Sequence, residues 1–226
     1  MIGDRLRFIG DTLRAAASEV QTVGRDLFSY EDVKGYLSEA DLRAHDVIRS
    51  AIASEYPGDE LLSEEDVSIG VLDRMAVGVQ PASHGRAAGC TWVADPICGT
   101  TNYVCGIPLF VHALSAMGQD GIEVAGIYHP SQDELFLADE SGTTLNGKPV
   151  KVSATASLAA AMVSVNGNQS SRKTEGRLGM VGRFEPPVTR RVRVLECANL
   201  EMAWVACGRL DAYVNPDDKI WDIAAG

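Results

Sequence analysis

The stretch Trp92–Tyr103, WVADPICGTTNY, decides how this chain is interpreted. A short apolar run ends in Asp95, Pro96 stops it, and a glycine-threonine-threonine turn follows at 99–101. We predict a strand that delivers Asp95 to its end and a helix that begins at the turn. Free backbone N–H groups at a helix start attract phosphate. A carboxylate is a hard oxygen ligand of the kind Mg²⁺ prefers. The stretch therefore indicates a metal-binding acid close to an anion-binding turn, although helix capping explains each feature taken singly.

Two further acids stand at similar places in the sequence. Glu64 follows an apolar pair in LLSEED, and Asp222 lies in IWDIAAG, where a small-residue helix is predicted to begin. Acids at strand ends and helix starts are well placed to converge on an ion. A single acid at such a place is more often a cap or a surface charge, so the prediction depends on the three acids together.

Composition limits the classes of protein that fit. The chain has 226 residues, 46% of them hydrophobic, which is enough for one large domain or two small ones that share a core. A net charge of −11 argues against a nucleic-acid partner. No apolar run approaches the roughly 20 residues that span a bilayer, so we expect no membrane segment. The five cysteines form no CxxC pair, which favours a reducing cytoplasm.

Periodicity predicts mixed helices and strands, typical of α+β layering. Helices are expected over residues 1–28, over Ser38–Tyr56 with Ser38 as N-cap, and over residues 198–207. Strands are expected over Thr91–Ala94, Val111–Met117, Val124–Tyr128 and Leu135–Ala138, and over the segments RRVRVLE and DAYVN. The Asn146-Gly147 pair predicts a hairpin turn. Residues 78–89 and 164–177 are expected to be polar loops.

Four blocks together resemble the inositol monophosphatase family of Mg²⁺-dependent, lithium-sensitive phosphatases. They are LLSEED, WVADPICGTTNYVCGIPLF, GIYHPSQDELFLADESGTTLNGKPVKVS and GRLDAYV…KIWDIAAG, and the resemblance runs from about residue 30 to the end. It implies an α/β fold, a layered αβαβα sandwich, as one unit over 1–226. An N-terminal α+β lobe would reach about residue 150, and an α/β lobe would follow over 151–226. Family members continue beyond WDIAAG. Either the C-terminal strands were removed or not included, which would leave the second lobe incomplete, or the chain is a naturally short variant.

The resemblance implies a role for each matching residue. Glu64 matches the glutamate that binds metal and orients the attacking water, and Asp95 matches the aspartate that bridges metals. The Ile97 carbonyl matches a backbone ligand, and Asp222 matches the late aspartate that binds the second metal and contacts substrate. Thr100 matches the threonine that pairs with the glutamate to activate the water.

The resemblance also implies a phosphate site and a substrate site. Gly99, Thr100 and Thr101 match the phosphate-cradling turn, and Asp41 matches an acid of the outer metal shell. Ala198 falls in the turn that contacts substrate, and Asn215 falls where the inositol enzymes have a substrate-binding glutamate. In that same turn Glu196 replaces a glycine, and upstream Gly35 replaces an expected acid. These departures indicate a sugar-facing half that differs from a standard inositol phosphatase, or ordinary drift in a substrate loop.

Cys98 is the main departure from the family pattern. It stands where the family has the second metal-binding aspartate, and a thiol is a poor ligand for Mg²⁺. Three explanations stay open. The protein is a slow or specialised phosphatase, or a Cys98 thiolate binds a softer ion such as Mn²⁺ or Zn²⁺, or catalysis is lost and the protein binds a metabolite or a partner. A buried cysteine without a role fits the first and the third.

The expected function is metal-dependent hydrolysis of a small phosphate monoester by a metal-activated water. The substrate class would be inositol phosphate or another sugar or metabolite phosphate, and the cofactor Mg²⁺, with Mn²⁺ or another divalent ion as the alternative. One alternative function is a weakened or inactive member that binds a phosphometabolite or a partner protein. Another is a nucleotide or sugar bisphosphate phosphatase. We expect a cytoplasmic homodimer.

Overall fold

The computed structural model describes residues 2–23, 27–28, 37–68, 89–167 and 177–226. The helices are α1 Ile2–Val20, α2 Glu39–Glu55, α3 Glu64–Ser68, α4 Thr100–Val104, α5 Arg177–Phe184, α6 Ala198–Ala206 and α7 Ile220–Ile223, with a 3₁₀ turn at Leu158–Ala160. The strands are β1 Leu27–Phe28, β2 Leu37–Ser38, β3 Glu60–Ser63, β4 Thr91–Cys98, β5 Val111–Gly118, β6 Gly121–His129, β7 Glu134–Asp139, β8 Gly142–Leu145, β9 Lys148–Pro149, β10 Met162–Val165, β11 Arg191–Arg193 and β12 Ala212–Val214. Gly35 and most of the two predicted loops, residues 78–88 and 168–176, lie outside the described residues.

A seven-stranded sheet in the order β3-β4-β5-β6-β7-β8-β9 forms the centre of the molecule. β3 runs parallel to β4, and each later neighbour is antiparallel. The predicted end of β4 at Ala94 is wrong, because the strand continues to Cys98. Its register against β5 shifts between Asp95 and Cys98, so Pro96 lies in a bulge where its missing N–H removes no ladder hydrogen bond.

Two long helices cover one face of this sheet. The apolar residues of α1 recur at helical spacing, and Ile9, Leu13 and Ala16 are fully buried against α2 and the sheet. Ser38 caps α2 as predicted, in a capping box with Asp41. The prediction that the first helix reaches residue 28 is wrong. The chain turns after Val20, where the Thr22 hydroxyl donates to the Glu19 carbonyl at 2.7 Å.

A second, three-stranded sheet has the order β11-β10-β12, with β10 parallel to both neighbours. Helix α6 packs on the other face of the large sheet, where Leu200 and Ala203 meet Val111, Ala113 and Ile127. The expected loop at 164–177 is wrong at its start, since β10 reaches Val165. The expected hairpin turn is confirmed, with Asn146 and Gly147 both at positive φ.

Helices therefore lie on both faces of the large sheet, and the smaller sheet adds to this layered arrangement. The large sheet ends at Pro149 and the small sheet begins at Met162. A lobe boundary near residue 150 stays a prediction. Among the described residues, no helix has both the length and the apolar character that crossing a membrane requires.

Candidate active site

The parallel pairing of β3 and β4 brings two acids together. Ser63, the last residue of β3, is the register partner of Ala94, so Glu64 at the start of α3 comes next to Asp95, the following residue of β4. Asp95 is 1% exposed, and Glu64 is partly exposed. Two acids thirty-one positions apart in sequence thus become neighbours.

The acids around this pair raise one another's pKa. Burial, then the negative charges of Asp222 and Asp41, raise the pKa of Glu64 to about 8. Burial, then Cys98, Glu64 and Asp222, raise the pKa of Asp95 well above its ordinary value. Between described residues, no lysine, arginine or histidine forms a salt bridge with Asp41, Asp95 or Asp222. The carboxylates therefore crowd together without a paired cation from those residues.

Asp41 contacts the turn after β4. Its Oδ2 accepts hydrogen bonds from the Ser38 N–H at 2.8 Å and the Ser38 hydroxyl at 2.5 Å, which fixes it at the start of α2. Its Oδ1 lies 2.9 Å from the Thr100 hydroxyl, which is also 3.0 Å from the Ile97 carbonyl. Asp41, expected in an outer shell, is thus a direct partner of Thr100. The expected pairing of Thr100 with Glu64 stays a prediction.

The turn itself requires glycine at its first position. Gly99 has φ +89°, and a Cβ there would lie 2.9 Å from the Leu109 carbonyl oxygen and 3.3 Å from Cys197 Sγ. Helix α4 begins directly after it, with Thr101 exposed. Packing against Leu109 and Cys197 therefore fixes the turn at Gly99, while its Thr101 side is exposed.

Asn199 is a site residue that the sequence analysis missed. It is fully buried, and its side-chain N–H₂ donates to Asp95 Oδ2 at 3.1 Å and to the Trp221 carbonyl at 3.2 Å. The sequence carries only a weak signal for it, a single amide in the apolar start of α6. Asn199 Oδ1 and Asp95 Oδ1 are both buried and have no hydrogen-bond partner among the described residues.

The two oxygens of Asp95 therefore differ in their hydrogen bonds, and we divide the site accordingly. We call Glu64, Asp41, Thr100 and Asp95 Oδ1 the Glu64 side of the site. We call Asn199, Cys98, Cys197 and Asp95 Oδ2 the Asn199 side.

Cys98 is part of a buried network on the Asn199 side. Its sulfur accepts the Asn199 backbone N–H at 3.4 Å, and its carbonyl accepts from Cys197 Sγ at 3.2 Å. A hydrogen bond with Cys197, then burial and the nearby negative charge of Asp222, raise the pKa of Cys98 well above its ordinary value. These surroundings favour the neutral thiol over the thiolate that a softer metal ion would need.

The three residues predicted near the substrate, Ala198, Asn215 and Glu196, have different surroundings in the structure. Ala198 is buried at the start of α6, next to the site. Asn215 bonds within its own loop, donating to Asp218 and to the Tyr213 hydroxyl and accepting from the Asp217 N–H. Glu196 adopts φ +58°, a conformation that suits the glycine it replaces.

Asp222 belongs to α7 and partly caps it. Its Oδ2 accepts the Lys219 N–H at 2.6 Å. Burial raises the pKa of its carboxyl, which the Lys219 N–H and charge partly oppose. Asp222 thus reaches the site as one more acid, while one of its oxygens is occupied by the backbone.

The donors fit one hard divalent ion on the Glu64 side. Within the described residues, no three His, Cys, Asp or Glu side chains form a group that could hold a metal ion. Mg²⁺ commonly binds through one or two carboxylates, with water and substrate phosphate as its other ligands. Glu64 and the unpartnered Asp95 Oδ1 supply two such carboxylate ligands. The Ile97 carbonyl lies at the bulge that follows Asp95.

Comparison with known proteins identifies the family. The inositol monophosphatase family matches residues 7–226, and the chain belongs to it. An inositol-1-monophosphatase of Mesorhizobium japonicum is 31% identical over 218 residues, which cover 96% of this chain and 76% of that protein. The Nus factor SuhB of Pseudomonas aeruginosa is 29% identical over 224 residues, covering 95% and 78%. The structure of a Thermotoga maritima inositol monophosphatase aligns with TM-score 0.79 and 27% identity, covering 98% of this chain and 80% of that one. The predicted family and layered α/β fold class are confirmed.

Proposed function

We propose that the protein hydrolyses a small phosphate monoester with the help of a divalent metal ion. One observation carries the proposal. Glu64, just after β3, and Asp95, within the parallel strand β4, are neighbours, and Asp95 Oδ1 is buried with no hydrogen-bond partner among the described residues. A buried carboxylate oxygen without a partner is costly for folding, and a bound cation would offset that cost. The named relatives that are inositol-1-monophosphatases support the same reaction class.

The ion would be held by Glu64, Asp95 and the Ile97 carbonyl. Asp222 would be a further candidate ligand, and Cys98, where a thiol replaces the expected aspartate, would be a poor one. When bound, such an ion neutralises charge on phosphate oxygens and lowers the pKa of water. Mg²⁺ suits the all-oxygen donors of the Glu64 side, and Mn²⁺ is the alternative.

Thr100 and Asp41 would handle the proton of the attacking water. The Thr100 hydroxyl donates to Asp41 and has lone pairs left to accept a hydrogen bond from water. Burial raises the pKa of Asp41, which makes it a better final acceptor for that proton. Glu64 would orient the water from the other side.

The phosphate would lie at the turn of Gly99, Thr100 and Thr101, with Asp222 and Ala198 lining the substrate space. Because Asn215 is engaged within its own loop, we propose that it acts on substrate through that loop. We retain as proposals a phosphorylated metabolite as substrate, two lobes divided near residue 150, a homodimer and a cytoplasmic location. A sugar or nucleotide bisphosphate is the alternative substrate.

The test is phosphate release against Mg²⁺ concentration over a panel of monoesters and bisphosphates. Asp95→Asn is the matched variant, because it keeps the shape of the side chain and removes the charge. We expect Mg²⁺-dependent release by the parent and a loss of at least about 100-fold in the variant, the scale of a lost charge interaction in a transition state. Undiminished release by the variant would contradict the proposal. A silent parent would favour the alternative of a phosphometabolite- or partner-binding protein.

A further inference from the structure

We propose that the Asn199 side chain fills the place of a second cation, so that this site binds a single divalent ion on the Glu64 side. The inference deepens the proposed function and rests on it. It concerns how many ions the chain holds and which residues set that number.

The position of the Asn199 amide supports this inference. Its N–H₂ lies between Asp95 Oδ2, at 3.1 Å, and the Trp221 carbonyl, at 3.2 Å. Asp222 follows Trp221, and its negative charge acts on Asp95. A cation shared by Asp95 and the α7 segment would have to lie between these same groups. Both partners of the amide are acceptors, so its nitrogen must face them.

The contacts of Asn199 hold the amide in this place. Asn199 is fully buried, and its backbone N–H bonds the Cys98 sulfur at 3.4 Å. The flanking residues Ala198 and Leu200 are buried in the apolar cluster beneath the large sheet. An N–H₂ group held by packing places partial positive charge against Asp95 Oδ2 without an ion.

Cys98 also leaves a second ion with fewer oxygen ligands. A hard cation needs several oxygen donors, and the side chain facing this place is a thiol, 5% exposed among apolar neighbours. Lys219 N–H already occupies one oxygen of Asp222. Among the described residues, the buried oxygen without a hydrogen-bond partner on the Asn199 side is the neutral amide Oδ1 of Asn199, whereas on the Glu64 side it is Asp95 Oδ1, a carboxylate oxygen and therefore the stronger ligand for a hard cation.

Mn²⁺ binding to the whole chain tests the inference without reference to activity. Equilibrium dialysis counts the ions, and electron paramagnetic resonance reports whether two Mn²⁺ ions are coupled. We expect one Mn²⁺ per chain in the parent and two coupled ions in the double variant Cys98→Asp/Asn199→Ala, which restores a carboxylate and removes the amide. The control is Cys105→Asp, which adds the same charge at an exposed cysteine and is expected to bind one.

Two coupled ions in the parent would overturn the inference, as would one ion in the folded double variant. If the double variant does not fold, Asn199→Ala alone is expected to gain a second, weaker Mn²⁺ site, and its absence would overturn the inference equally. The two proposals fail differently. A parent that binds two ions and releases phosphate refutes only the single-ion inference. A parent that binds one ion and releases no phosphate from any ester refutes only the proposed function.

Discussion

The two carboxylate oxygens of Asp95 contrast in how well they are satisfied. On the Asn199 side, Asp95 Oδ2 accepts a hydrogen bond from a buried amide, whose own oxygen has no partner among the described residues, and the neighbouring thiols bond to backbone groups. Asp95 Oδ1, assigned to the Glu64 side, is buried without a partner among the described residues, and the surrounding acids raise one another's pKa. Satisfied buried groups stabilise a fold, whereas unsatisfied ones are kept where they serve a ligand. Substitutions on the Asn199 side should therefore change stability, and those on the Glu64 side should change activity.

The largest effect is expected from Gly99→Ala, at the border of the two sides. Positive φ and the close approach of the Leu109 carbonyl and Cys197 should together reduce the free energy of unfolding by about 3 kcal/mol. Urea denaturation measures it. Gly147→Ala is the control, since Gly147 has φ +76° and no atom of a described residue lies within 4 Å of an added Cβ, so the variant should lose only about 1 kcal/mol. Equal losses would show that packing under the turn is unimportant.

Thr100→Val should remove catalysis and preserve the fold. The substitution keeps the shape of the side chain and deletes the hydroxyl that contacts Asp41 and Ile97. We expect kcat to fall about 100-fold, the low end for loss of a proton-transfer group. Thr100→Ser should retain most of the activity because it keeps the hydroxyl. A Thr100→Val enzyme with the parent's kcat would remove the Thr100–Asp41 pair from the mechanism.

The Glu64 side should also make the stability of the metal-free protein depend on pH. The pKa of Glu64 is raised to about 8 in the folded state from an ordinary 4.5, so the folded state binds more protons between these values. The free energy of unfolding should therefore fall as pH rises through this window, by at most about 1.4 kcal/mol per pH unit for one proton.

Urea denaturation with a chelator present, repeated from pH 5 to 8, measures this slope. Glu64→Gln should flatten it, since the neutral amide does not titrate. Some slope should remain in the variant, because burial also raises the pKa of Glu65, to about 9. An unchanged slope would mean that Glu64 does not titrate in this window.

The smallest effect concerns Glu196, which precedes the Asn199 side. Its φ of +58° strains a side-chain-bearing residue, and Glu196→Gly should stabilise the protein by about 0.5–1 kcal/mol after the added flexibility of the unfolded chain is subtracted. Glu196→Ala is the control, because it removes the carboxylate and keeps the strain. A gain of equal size in both variants would assign the effect to charge and not to backbone strain.

Local sequence patterns predicted much of the fold. The features that they did not predict depend on pairing between segments that are distant in sequence. The Ser38 cap, the Asn146-Gly147 turn and strands β5, β6 and β7 depend on neighbouring residues and were predicted. The end of β4 was not, because a bulge accommodates Pro96 within a strand that its partner continues. A bulge of this kind depends on the facing strand, which local sequence does not describe.

The site was predicted in its residue types and less well in its contacts. Resemblance named Asp95, Glu64 and Thr100, and the register of β3 with β4 explains why the first two meet. Asn199 was missed because its role arises only where α6 crosses the end of β4. Asp41 was predicted only as an acid of the outer metal shell, and the start of α2 brings it into contact with Thr100.

The most direct test of the contrast is the melting temperature of the parent and of Asp95→Asn, each with a chelator and with saturating Mg²⁺. Without metal, Asp95→Asn should melt at a higher temperature than the parent, because it removes a buried carboxyl group whose charged form burial and the neighbouring acids disfavour, while an amide oxygen still accepts from Asn199. With Mg²⁺, the parent should rise and the variant should not, since only a protein that binds the ion is stabilised by it. A metal-free variant less stable than the parent, with no effect of Mg²⁺ on either, would contradict the account.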